Sequence, residues 1–126
     1  DVSGLTLDAG ALIALERNDR RVVSRIDRAL ELGLLVVIPA GALAQAWRSG
    51  ARQARLARLL GAEGVEVEPL DTARACAAGQ LCGRAGTSDI VDASVVLAAR
   101  ARGHRVLTSD PFDLRRLDPA VLLTPI

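Results

Sequence analysis

Leu34-Leu-Val-Val-Ile38 is a continuous apolar run of strand length, the pattern of a strand covered on both faces rather than one. A chain containing such a strand must supply helices above and below its sheet. The neighbouring segments do so. Gly4-Leu-Thr-Leu-Asp8 reads as a short strand ending in an aspartate, and Ala9–Glu16 follows as a helix with no room for a long loop. Asn18 and Asp19 break that helix. Asp19 caps an amphipathic helix running to about Leu32, with Val22, Val23, Ile26 and Leu30 on one face, and Gly33 closes it. After the apolar run, Pro39 suits the first turn of a helix over Ala40–Arg48. Ser49-Gly50 is a break, and Ala51–Leu60 is a further helix.

Val65-Glu-Val-Glu-Pro69 alternates and reads as a strand near a sheet edge. Asp71 begins a small-residue helix that ends around Arg84, and the Gly86 turn leads into another helix ending near Arg102-Gly103. Arg105–Thr108 is the next strand, Pro111–Leu117 a short helix, and Val121-Leu-Leu123 the last strand. Strands alternating with helices imply a parallel sheet, because parallel neighbours need crossover connections. The expected architecture is α/β: one domain over residues 1–126, with a parallel sheet of four to five strands flanked by helices on both faces.

The 126 residues suffice to bury roughly two-thirds of the unfolded surface. With one Trp, one Phe and no Tyr, the core must be built from Leu, Val, Ile and Ala. A net charge of +1 gives no strong sign of a nucleic-acid partner. The 16 basic residues are all Arg, whose planar forks suit phosphates and carboxylates. Cys76 and Cys82 are six apart within one helix, a poor geometry for a disulfide. They are expected to be reduced, small core residues of a cytoplasmic protein. No apolar run reaches membrane-spanning length and no signal peptide is visible. The chain has no Met, so its native start is expected to be missing or replaced.

Chemistry concentrates in Thr87–Ala99, an apolar helix with polar residues at its start. Thr87 and Ser88 can cap the first turn, and Asp89 and Asp92, three apart, share a face. Like charges at the end of a buried helix repel unless a cation or hydrogen-bond donors compensate. In an open α/β sheet, ligands sit outside the carboxyl ends of the strands. Asp8 ends the first strand and Asp110 follows the fourth, so with Asp92 three acidic points converge at one edge. Such an oxygen-rich cluster suits Mg²⁺ or Mn²⁺. A plain N-cap aspartate beside a solvated first-turn aspartate is the simpler account of Asp89 and Asp92 taken alone.

These residues also carry a family resemblance. Leu7–Leu15, Asp89–Ala99 and Val106–Leu114 resemble, in order and spacing, the motifs of PIN domains, specifically the VapC-type toxins of bacterial toxin–antitoxin pairs. The resemblance implies a metal-dependent ribonuclease that cuts RNA and is held inactive by a cognate VapB-like antitoxin, with a homodimer as the usual assembly. It implies Asp8 and Asp92 as metal ligands and Asp110 as a further acid, with Asp89 at a position where several relatives also carry one. Thr108 or Ser109 would hydrogen-bond into the site. Where the family usually places a Glu, in the helix after the second strand, this chain has Gln45. One negative charge is lost there, with Glu16 or Asp89 as candidates to compensate.

Arg48, Arg52, Arg55 and Arg58 recur at helical spacing, a basic stripe for RNA phosphates or an acidic antitoxin segment, or else a solvated face. Trp47 is a partner anchor or a core filler. Asp113 reads as a solvated residue of the short helix, and His104 as a surface-loop residue rather than a general base. Two other classes compete with the nuclease. One is a PIN-like RNA- and protein-binding module weakened by Gln45. The other is a phospho-acceptor domain, disfavoured by the lack of any lysine and of paired acids at the first strand.

Overall fold

Val36, Val37 and Ile38 are all fully buried, as an apolar run covered on both faces requires. The computed structural model describes residues 3–126. In chain order the elements are β1 (Gly4–Leu7), α1 (Ala9–Glu16), α2 (Arg20–Glu31), β2 (Leu35–Pro39), α3 (Ala40–Ala46) and α4 (Ala54–Leu60). There follow β3 (Val65–Glu68), α5 (Thr72–Ala85), α6 (Ile90–Arg102), β4 (Arg105–Thr108), α7 (Pro111–Leu117) and β5 (Leu123–Pro125). The five strands form one parallel sheet in the order β3-β2-β1-β4-β5. Thr6 pairs with Val37 on one side and Val106 on the other, so β1 is the central strand and β3, as expected, an edge.

The chain steps outward from β1 to β3, then returns across the sheet to β4 and β5. Crossovers in opposite directions, each right-handed, place their helices on opposite faces. Accordingly α1 packs with α2, α3 and α4, while α5, α6 and α7 pack with one another. The direction reverses between β1 and β4, the position where such sheets open a crevice at their strand ends. The core is aliphatic: Leu7, Leu12, Ile26, Ile38, Leu56, Leu107 and Leu114 are its largest fully buried side chains.

Several local expectations need correction. The helices either side of Ser49-Gly50 are shorter at their facing ends, stopping at Ala46 and resuming at Ala54. The Gln53 amide holds the connection as a compact turn. Its Oε1 accepts from the Arg48 and Ser49 amides at 2.7 and 2.9 Å, and its Nε2 donates to the Ala46 carbonyl at 2.9 Å. A Cβ at Gly50 would lie 2.9 Å from the Trp47 ring, so the turn closes onto a Trp that is itself packed against the core. The last strand starts two residues late, because Asp118 closes a turn with the amides of Ala120 and Val121.

Cys82 is buried and donates to the Asp89 carbonyl at 3.4 Å, but Cys76 is exposed rather than core. Both are free thiols. His104 is buried, not a surface-loop residue: its Nδ1 lies 3.1 Å from Thr6 Oγ1. Its ring occupies the space that a Cβ on Gly4 would take. Burial and the nearby Arg102 charge push its pKa down. No helix among the described residues is long and apolar enough to cross a membrane.

Candidate active site

β1 ends at Leu7 and the chain turns directly into α1, which makes Asp8 the N-cap. Asp8 is 3% exposed, and its Oδ1 accepts from the Ala11 amide at 2.8 Å. Its own amide donates to the Leu107 carbonyl at 3.2 Å, tying the carboxylate to the end of β4. Burial raises its pKa and the Asp110 charge adds to the rise, while Thr108 and the amides of Ala11 and Ser109 pull it down. Thr108, fully buried, also accepts from the Asp110 amide at 2.8 Å, and so turns the chain as β4 ends. Gly10 is required here: a Cβ on it would collide with Ser109 Oγ.

Asp89, rather than Thr87 or Ser88, is the N-cap of α6, as the simpler account had it, and its Oδ1 accepts from the Asp92 amide at 2.9 Å. Thr87 supports it by accepting from the Asp89 amide at 3.3 Å. Asp92 is not the solvated residue of the simpler account. It is half-buried, and its pKa is raised to about 7, first by burial and then by the charges of Asp89, Asp113 and Asp110. Asp110 therefore acts on both Asp8 and Asp92, which links the three acids expected to converge.

Asp113 is exposed, as expected of a solvated residue of the short helix, and adds its charge to theirs. It lies in the first turn of α7 and its charge reaches Asp92. A signal existed in the sequence: Asp110 and Asp113 repeat the three-residue spacing of Asp89 and Asp92.

Among the described residues, no Arg forms an ion pair with Asp8, Asp89, Asp92, Asp110 or Asp113, although Asp19, Glu31, Glu68 and Asp118 all have one. The cluster thus gathers negative charge that the fold leaves uncompensated. Its donors are all carboxylate or hydroxyl oxygens, the set a hard divalent cation takes. Among the described residues no three acidic, His or Cys side chains already form a metal cage.

The other expected residues are placed differently. Gln45 is exposed in the last turn of α3, a helix on which a Cβ at Gly41 would lie 3.3 Å from Val91 of α6. Glu16 lies at the far end of α1, where its Oε2 accepts from the Arg55 amide at 3.2 Å. It therefore stands away from the acidic rim and cannot compensate for Gln45. Arg48 and Arg52 lie in the Trp47–Gln53 connection, so with Arg55 on α4 they form no continuous helical stripe. Trp47 is the core filler of the two readings.

A family model described as PIN domain matches residues 5–118. No curated protein matches the chain. Among solved structures, VapBC2 from Rickettsia felis, bound to a DNA fragment from its promoter, is similar at 14% identity and a TM-score of 0.70, covering 97% of this chain and 98% of that one. FitAB bound to an IR36 DNA fragment is 17% identical with a TM-score of 0.63, over 96% of this chain and 94% of that one. FitAcB from Neisseria gonorrhoeae is 18% identical with a TM-score of 0.58, over 94% and 95% respectively. These likenesses show a shared fold.

Proposed function

The chain belongs to the PIN domain family, and from that premise we propose that it is a VapC-type toxin: a Mg²⁺- or Mn²⁺-dependent endoribonuclease that hydrolyses RNA phosphodiester bonds. On this reading it works in the cytoplasm as a homodimer of single-domain chains and is neutralised by a VapB-like antitoxin protein. The observation that carries the reading is the half-buried Asp92, raised to about 7 among carboxylates that no guanidinium neutralises. A cation would relieve the repulsion that raises Asp92.

Asp8, Asp92 and Asp110 would hold a divalent ion, which would supply neutralisation and Lewis acidity toward a phosphodiester. Asp8 is fixed in one rotamer by its cap bond to Ala11. Thr108 sets the position of Asp110, and Asp89 holds the start of α6 so that Asp92 faces α7. Cys82 is buried with its thiol on a carbonyl, and His104 sits at the starts of β1 and β4, the opposite end of the sheet. Metal-assisted hydrolysis requires no nucleophilic side chain, and the reading takes water as the attacking group.

One observation favours a second reading. Gln45 is neutral and exposed, so the chain is alternatively a weakened PIN-like module that binds RNA and protein without turnover. Cleavage of RNA by the purified, partner-free chain in Mg²⁺ or Mn²⁺ decides between them. Cutting that EDTA and Asp92→Asn both abolish supports the nuclease. RNA binding without cutting by folded protein across several RNAs would leave the binding module.

A further inference from the structure

Phe112 is 84% exposed, the only Phe of a chain with one Trp and no Tyr. A single exposed apolar residue is ordinary on a protein surface; what distinguishes this ring, when Trp47 is packed against the core, is its position. On α7, Leu114 and Leu117 face the core, while Phe112, Arg115 and Arg116 are all exposed and stand at i, i+3 and i+4, on one face. The stripe adjoins the acidic rim at both ends. Asp110 and Asp113 flank the ring in sequence, and both act on Asp92. Arg116 Nη2 donates to the Gly86 carbonyl at 2.8 Å, which holds its guanidinium against the connection leading to Asp89.

We propose that this face of α7 binds single-stranded RNA, with a nucleobase stacked on Phe112 beside the scissile phosphate and neighbouring phosphates on Arg115 and Arg116. The inference rests on the nuclease reading and names its substrate class. The carboxylate rim repels a polyanion, so the strand must be held by contacts outside the rim. A bare aromatic ring offers one that is independent of charge, and stacking on it is tolerant of base identity. Guanidinia three and four residues further along add attraction to phosphates. A duplex keeps its bases stacked inside and presents only backbone, so it cannot use the ring.

The test measures binding of fluorescein-labelled single-stranded oligoribonucleotides, and of a blunt duplex of the same sequence, by fluorescence anisotropy. It uses the full chain in the Asp92→Asn background, which suppresses cutting. Phe112→Ala should weaken single-strand binding about tenfold or more, leave the duplex unaffected, and leave the melting temperature unchanged because the ring packs on nothing. Phe112→Trp should restore binding and Phe112→Leu should not, since an aliphatic side chain has no π face. Arg115→Ala and Arg116→Ala should each reduce the salt dependence by about one counterion. In the active chain Phe112→Ala should raise KM more than it lowers kcat. Unchanged single-strand affinity in Phe112→Ala, or full rescue by Leu, overturns the stacking role. Loss of antitoxin binding with RNA affinity intact overturns it too, and assigns the ring to a protein partner. If the wild-type chain cleaves RNA with KM indifferent to Phe112, the nuclease reading stands and only this inference falls. If the wild-type chain neither binds nor cuts RNA, both fall.

Discussion

Two acidic sites in this molecule are built on opposite terms. Glu68, at the end of β3, is held by two guanidinia, Arg74 at 3.1 Å and Arg102 at 2.7 Å. These bonds join the edge strand to α5 and to the end of α6. Asp92, at the start of the same α6, is half-buried and faces Asp89, Asp110 and Asp113, with no guanidinium in ion-pair reach among the described residues. One carboxylate is neutralised by its own chain and fastens elements together. The other is crowded by like charges, which costs stability until something cationic arrives. A half-buried acid perturbed by its neighbours is a functional candidate, and an acid fastened by two guanidinia is a structural one.

Removing a carboxylate should therefore have opposite consequences at the two sites. Asp92→Asn is expected to lower RNA cleavage about 10²-fold or more and, without metal, to raise the melting temperature at pH 8. Asp8→Asn should also lose activity, while Asn keeps the helix cap. Glu68→Gln should leave cleavage intact and cost about 1–3 kcal/mol of stability, because two part-buried guanidinia lose their charged acceptor. Chemical denaturation alongside a cleavage assay reads both. Loss of stability in Asp92→Asn, or loss of cleavage in Glu68→Gln, would erase the contrast.

The contrast also has a pH signature. Asp92 holds its proton up to about pH 7 in the fold, against an ordinary value of 3.8. Between those values the native state binds a proton that the unfolded chain has lost, so the metal-free protein loses stability as pH rises through about 7. Asp8, also raised, acts in the same direction. His104, whose pKa is lowered, acts oppositely and loses stability as pH falls below its ordinary 6.5. Comparing wild type with Asp92→Asn in EDTA cancels the histidine. The expected result is a melting-temperature gap favouring the variant at pH 8 that narrows as pH falls below about 7 and closes only near pH 4. Adding Mn²⁺ at pH 8 should stabilise wild type more than Asp92→Asn; equal shifts would mean the ion binds elsewhere.

How much of this was legible in the sequence depended on whether the signal was local. The buried run Leu35–Ile38, the caps Asp19 and Asp71, and the Gly86 and Gly103 turns at positive φ announce themselves within a few residues. The strand-end aspartates could be placed because a parallel α/β pattern dictates where strand ends meet. Long-range side-chain choices were not legible. Gln53 reaches back to the Arg48 and Ser49 amides and shortens two helices. His104 is buried because Gly4, a hundred residues earlier in the chain, leaves space for its ring. Asp113 repeats the three-residue spacing of Asp89 and Asp92, but that its charge reaches Asp92 depends on α6 and α7 packing together, which spacing alone does not state.

The smallest expected effect tests how complete the unpaired site is. The family resemblance puts an acid where Gln45 stands, and in this fold Gln45 is exposed in the last turn of α3. Its amide oxygen can ligate but brings no charge. Gln45→Glu adds one carboxylate at the position where the resemblance puts an acid, so it should lower metal-free stability slightly and tighten the apparent metal requirement of cleavage a few-fold. At saturating Mn²⁺ the gain should shrink, since the ion then offsets the missing charge by mass action. If Gln45→Glu changes neither the metal requirement nor the rate, the rim is complete without this position. A gain that persists undiminished at saturating metal would mean that residue 45 acts on the chemical step itself. The contrast would then need an amendment: the unpaired site of this chain would be one acid short of what the reaction uses.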